Sequence, residues 1–366
     1  MADTPLLDNQ DHFESLDSTK TLLSIELIGN QIKEIWDLSQ TLKISKEIQE
    51  KIALKKFAHI VVCGMGGSIL GTDIIQSLFS ESLPTPLTIV PNYTLPAFVN
   101  KNSLVIAASY SGGTEETWTA MQTAHKKGAT IAGITSGGKI AEFLKENNYP
   151  CLQFSQEHNP SQIAKMGLGY SIFGQMMLFA KMGLIAIGEE EYKTVINAVA
   201  TAQLKMSSTV EQQQNVAKLL AFQLFDRLPM VLATEHTAGA AHVFVNQLNE
   251  NTKTLAEFHI IPEMNHHLLE ALAFPKSTKD HISWISVESG LYLPENQKRV
   301  SVTEQVLEKQ GFPVILHRLT EETRIGQVFE LLILGTYTSF YLAMLNSVDP
   351  GPIPVVDWFK AELKKK

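Results

Sequence analysis

The sequence predicts an α/β protein built from doubly wound parallel sheets with helices on both faces. Three observations carry that prediction. Five β-rich runs of four to seven residues, bounded by Gly, Asn or Pro, alternate with helical patterns between His59 and Phe154. From about Pro160 to Arg227 the text is helical and without strands. The alternation then resumes and continues almost to the end of the chain. At 366 residues the chain exceeds one ordinary core. We therefore expect a first α/β domain over 1–157, a helical connector over 158–226 and a second α/β domain over 227–366. No low-complexity linker separates them, so the domains should be packed rather than tethered.

The elements follow in order. Helical patterning runs from about Ser18 to Lys56. HIVVCGMGGS is an apolar run closing on glycines, followed by helical ILGTDIIQSLFSE. LTIV leads into PNYTLPAFV, SLVIAASYSGG into TEETWTAMQTAHKKG, and ATIAGITSGG into KIAEFLKENN, before YPCLQF. In the connector, IAKMGLGYSIFGQMMLFAKMGLI is rich in Met and Phe, which reads as core packing or a subunit interface. EEEYKTVINAVATAQLKM and VEQQQNVAKLLAFQLFDRL complete it. In the second domain LPMVLATEH, TLAEFHIIPE, HISWISVES and FPVILHRLT alternate with helical AAHVFVNQLNENT, NHHLLEALA, KRVSVTEQVLEKQ and RIGQVFELLILGTYTSFYLAML. PGPIPVVDWFKAELKKK is a Pro-punctuated turn with a short basic helix.

Composition narrows the function. A hydrophobic content of 44% with 19% charged residues is ordinary for a globular protein. The net charge of −8 argues against a nucleic-acid binder. It leaves an anionic small molecule open, because local N–H groups and hydroxyls can outweigh a distant negative field. Cys63 and Cys151 lie in apolar runs, which favours buried free thiols and a reducing compartment. The acidic start lacks the pattern of a signal peptide, and no apolar run is read as approaching the ~20 residues that cross a bilayer. The expectation is a cytoplasmic protein with no membrane partner.

The stretch SYSGGTEET lies where a parallel sheet binds ligands, between a strand end and a helix start. The helix terminus offers unpaired N–H groups and partial positive charge. Gly112 and Gly113 let the backbone approach closely, while Ser109, Ser111 and Thr114 add hydroxyls. One hydroxyl would make a capped turn; three around a double glycine favour anion binding. Glu115 and Glu116 should point away from the anion. GMGGS follows another strand, but its glycines at 64, 66, 67 and 71 miss the dinucleotide spacing, and no nucleoside-triphosphate loop is present.

GMGGSILG followed by SYSGGTEET resembles the sugar isomerase (SIS) domain family, whose members bind phosphosugars. The resemblance implies that Ser109, Ser111 and Thr114 grip a sugar phosphate, with Gly67 and Ser68 facing the sugar. In the second half, QLNENTK followed by PEMNHH, together with the final DPGPIP and a late lysine, resembles the bifunctional phosphoglucose/phosphomannose isomerases, a subfamily with two SIS domains. That resemblance spans nearly the whole chain. It implies an isomerase for glucose 6-phosphate and fructose 6-phosphate, and for mannose 6-phosphate, acting through a cis-enediolate. Glu250 would shuttle the proton between C1 and C2. His266 would assist ring opening from the other subunit of a homodimer, and Lys360 would stand near the ring oxygen.

Such chemistry requires no metal and no cofactor, and no metal-ligand spacing surrounds His266 and His267. Two positions depart from the family pattern. Lys165 in KMGLGY stands where the family commonly has an enediolate-stabilising arginine, and Gly351 stands where it often has threonine. Lysine keeps the charge but loses the planar fork of donors. The rival reading that Lys165 favours is a non-catalytic phosphosugar sensor.

Overall fold

A computed structural model describes residues 6–365. Nine parallel strands form two sheets. β1 (His59–Cys63), β2 (Leu87–Val90), β3 (Ser103–Ala108), β4 (Thr130–Thr135) and β5 (Cys151–Gln153) make the first, in the order β2-β1-β3-β4-β5. β6 (Leu228–Ala233), β7 (Glu257–Ile260), β8 (Ile282–Glu288) and β9 (Val314–Arg318) make the second, in the order β7-β6-β8-β9. All nine coincide with the β-rich runs read from the sequence. β3 and β4 are buried at every residue, which explains their lack of polar alternation.

The main hydrophobic core runs through both halves, joining Ile60 and Val62 of β1 to Val231 of β6 and to Phe340, with a smaller cluster in each half. Its spine is the helix Arg324–Leu345, which packs against Glu189–Met206, Val216–Leu224 and Ala238–Gln247. Here the sequence reading needs correction. By length and composition this helix could cross a membrane, but 94% of its apolar window is buried inside the protein, where it serves as a core helix. The Met/Phe-rich segment is likewise core: Met176, Met177, Phe179 and Met182 are fully enclosed. NHHLLEALA is not a continuous helix either. Glu263–His266 and Leu269–Ala273 are separate 3-10 turns, and Leu268, Leu269 and Leu272 are half-buried against a small core that includes Met264 and Trp284. Cys63 is a free buried thiol pushed up to about 12 by burial, and Cys151 is free and raised for the same reason.

One seam fixes how the two sheets meet. The helix Ala238–Gln247, which follows β6, crosses Leu70–Leu78, which follows β1. A Cβ on Gly239 would lie 2.6 Å from the Ile74 backbone, so the helices touch main chain to main chain. His242 Nδ1 and Asp73 Oδ2 are 2.9 Å apart across the same seam, and the Gly239 N–H donates to Ser77 Oγ at 3.2 Å. The glycine loop at the start of one helix and the residues at the end of the other are thereby brought together.

Candidate active site

β3 ends at Ala108, and the loop 109–114 carries the chain into the helix Glu115–Lys126. Gly112 has φ +66°, and a Cβ there would meet the Gly137 carbonyl oxygen at 1.7 Å, so only glycine fits. Thr114 occupies the N-cap position, yet its hydroxyl caps nothing. It shares a 2.9 Å hydrogen bond with Ser109 Oγ. The first turn thus retains free N–H groups, as an anion site requires and a simple cap would not. Ser111 is exposed at the rim, where its Oγ accepts from the Gly113 N–H at 3.3 Å. The loop is held from beneath by Ser136, whose hydroxyl donates to the Tyr110 carbonyl at 2.8 Å. Burial pushes the Tyr110 phenol up to about 12, and that hydroxyl accepts from Asn159 Nδ2 at 2.7 Å.

The first glycine loop is latched to the second: the Tyr110 N–H donates to Ser68 Oγ at 3.2 Å. Gln175, 1% exposed, donates to the carbonyls of Ser68 (2.9 Å) and Ser171 (2.8 Å) and accepts from Thr72 Oγ1 at 2.6 Å. A Cβ on Gly67 would touch nothing within 4 Å, so this face is open for a ligand.

Glu250 lies in a π-helical turn, Leu248–Thr252, that widens the end of Ala238–Gln247. Both neighbouring asparagines are engaged. Asn249 bonds the Ala256 backbone in both directions, at 2.9 and 3.1 Å, and Asn251 Nδ2 donates to Ser339 Oγ at 3.0 Å. The half-buried carboxylate of Glu250 has no hydrogen bond or ion pair among the described residues. It faces a hollow shared with Gly67, Lys165, Ser171, Asn246 and Gln247. A second hollow, lined by Ser68, Ser109, Tyr110 and Gln175, adjoins it through Ser171.

Lys165 Nζ donates to the carbonyls of Glu250 (3.0 Å) and Pro350 (2.8 Å). Burial, reinforced by the charge of Lys253 and opposed by Glu250 and Asp349, lowers Lys165 to about 8. Gly351 follows the same turn, and a Cβ there would lie 2.1 Å from Thr19 Oγ1, so Thr19 fills the space a side chain at 351 would take.

Within one chain Gly67, Lys165 and Glu250 therefore meet, with Ser68, Ser109 and Thr114 alongside and Ser111 at the rim. His266 and Lys360 do not join them. His266 is exposed at the end of its 3-10 turn, and Lys360 is exposed on Pro354–Leu363, a helix that buries none of its residues. Among the described residues no three of His, Cys, Asp and Glu converge as a metal site would require. Sequence reasoning missed Gln175, Ser171 and Tyr110. The available signal for Gln175 was a lone amide inside the apolar run IFGQMMLF.

The tagatose-6-phosphate ketose/aldose isomerase of Escherichia coli superposes with a TM-score of 0.66 at 15% identity, covering 90% of this chain and 94% of that one. Residues 213–363 match the family model described as bacterial phospho-glucose isomerase C-terminal SIS domain. The fold is thus a parallel-sheet α/β fold shared with that isomerase, with the SIS match lying in the second half of the chain. Bifunctional phosphoglucose/phosphomannose isomerases of Caldicellulosiruptor bescii and Aquifex aeolicus are each 29% identical to it, over 89% and 85% of this chain and 95% and 92% of theirs. Over most of its length the chain is thus similar to the bifunctional phosphoglucose/phosphomannose isomerases.

Proposed function

We propose that this protein is a cytoplasmic aldose–ketose isomerase that interconverts glucose 6-phosphate and fructose 6-phosphate and also turns over mannose 6-phosphate. The reading rests on one observation above all: an unpaired carboxylate, Glu250, shares a hollow with a lysine and with the open face of a glycine loop. The substrate phosphate would sit on the free N–H groups before Glu115, held by Ser109, Ser111 and Thr114, with Gly67 and Ser68 against the sugar. Glu250 would take the proton from C2 of the open-chain aldose and return it to C1. Burial strengthens the pull of Lys165 on the developing oxyanion, an effect that commonly contributes several kcal/mol in a dry site.

His266 and Lys360 complete the reading as a homodimer, with His266 contributed by a second copy. The helix carrying Lys360 supports that view, because Val355 (78%), Trp358 (64%) and Phe359 (56%) stand exposed on it. Ring opening would fall to these two residues, and no metal enters the scheme. A coupled assay on fructose 6-phosphate tests the proposal. Turnover unchanged by a chelator, from a species of twice the chain mass in light scattering, is the expected result. Absence of turnover would reject the isomerase in favour of a sensor, and a fully active monomer would remove His266 from the site.

A further inference from the structure

Two lysines, rather than one, converge behind Glu250. Lys253 ends the π-helical turn in the left-handed conformation, φ +59°, which turns its side chain back over the turn it terminates. Its Nζ lies 2.8 Å from the Glu250 carbonyl oxygen, 3.1 Å from that of Asp349 and 3.4 Å from that of Pro350. Lys165 donates to two of these three acceptors. The two ammonium groups therefore share two carbonyl oxygens, those of Glu250 and Pro350. Like charges placed so closely disfavour each other, and the more buried partner yields first.

The two lysines are not equivalent. Lys165 is half-buried and lines the hollow with Glu250, whereas Lys253 is exposed and lies outside it. Lys253 already reaches both carbonyls that Lys165 holds, so Lys165 can leave them without orphaning either acceptor. The charged groups facing Lys165 are Lys253, Glu250 and Asp349, and those facing Lys253 are Asp349, Glu250 and Lys165 itself.

We propose that Lys253 is a positioning residue for the isomerisation: it takes over the carbonyls of Glu250 and Pro350 and sets a second positive charge beside Lys165, freeing Lys165 to pass a proton to the substrate oxygens. The inference rests on the isomerase reading above. As Glu250 removes the proton from C2 of the aldose, the C1–C2 double bond forms and Lys165 Nζ gives its proton to O1, leaving a neutral cis-enediol and a neutral amine. Glu250 then returns its proton to C1 while the amine takes the proton from O2, forming the ketose carbonyl. Both residues end as they began. An arginine at 165 could stabilise the oxyanion but not make this transfer, because its guanidinium does not deprotonate in the working range. The lowered acidity range of Lys165, to about 8, agrees with the role.

The test compares wild type with Lys253→Met, Lys253→Arg and Lys165→Arg. Two quantities are read against pH: kcat on fructose 6-phosphate, and the extent of Lys165 modification by trace acetic anhydride, measured by peptide mass spectrometry. The proposal expects half-maximal modification and the alkaline fall of kcat both near 8 in wild type. In Lys253→Met both should move up by about one pH unit, the scale of one neighbouring charge. Lys253→Arg should restore the wild-type values, and Lys165→Arg should keep slow turnover without the alkaline fall. A modification midpoint unmoved in a folded Lys253→Met protein would overturn the coupling, whether or not turnover exists. A shifted midpoint with an unshifted kcat profile would overturn the proton transfer. Absence of turnover in wild type would instead reject the isomerase reading, and the transfer with it, while the modification data still decide the coupling.

Discussion

Asn249, Glu250 and Asn251 are neighbours in one turn, and what separates them is the use of their side chains. The asparagines bind the chain itself, and the carboxylate between them is left unpartnered among the described residues, as the proposed proton transfer requires. Lys165 shows the converse arrangement, a charge held out of water near a reacting centre. Below a pH of about 8 that lysine is protonated in the fold, and burying the charge weakens folding. In the unfolded chain it stays protonated up to about 10.4, so stability from this group rises between those values and is lost again as pH falls through the lower one. Lys165→Met should therefore raise the melting temperature at pH 7, with the gain shrinking toward pH 10, while activity falls. Lys253 remains to satisfy both carbonyls in that variant. A loss of stability equal at every pH would show that Lys165 is chiefly a structural clasp. The two glycine loops were legible in the sequence because each follows the end of a strand. Gln175 and Ser171 were not, since they lie within an apolar run, and Gln175 gains Ser68 and Thr72 as partners only when that run packs against the first glycine loop and the helix after it.

At the scale of elements, the helix seam carries the site. Gly239 permits the backbone contact with Ile74, and Glu250 stands one turn beyond that helix. Gly239→Ala should cost about 1–3 kcal/mol of stability through overpacking and should lower kcat/KM by moving Glu250 away from the glycine loop. Gly29→Ala is the control. It lies in the helix Ile28–Gln40, where a Cβ would meet only Val199 Cγ1 at 4.0 Å. That change should stabilise by about 0.4–1 kcal/mol and leave kinetics unaltered. Thermal melts and steady-state kinetics of the pair check both outcomes, and equal behaviour of the two variants would deny the seam its role. The strands were readable as short apolar runs closed by turn residues. NHHLLEALA was misread because its leucines suggested one helical face, whereas the fold half-buries Leu268, Leu269 and Leu272 from 3-10 turns.

The whole molecule behaves as two sheets wrapped around one buried helix. Arg324–Leu345 shows why hydropathy alone misleads: a core shared by two halves needs a helix apolar on all sides, which is also the composition of a membrane span. Position along the chain said nothing of how the first sheet's phosphate-type loop and the second half's carboxylate would share a space, because the seam depends on one glycine among the 22 in the sequence. The exposed helix Pro354–Leu363 and exposed His266 extend the same logic to a second copy, whose docking would complete the proposed site.

The central claim is that Glu250 moves a proton between adjacent carbons. Fructose 6-phosphate converted in heavy water tests it most directly, with the product analysed by NMR for deuterium at C2. The account predicts measurable incorporation with wild type, because a proton held on a carboxylate exchanges with solvent, and a rate at least ~10²-fold lower with Glu250→Gln. Rapid conversion that carries the original hydrogen without any deuterium, or unchanged incorporation and rate in the variant, would contradict it.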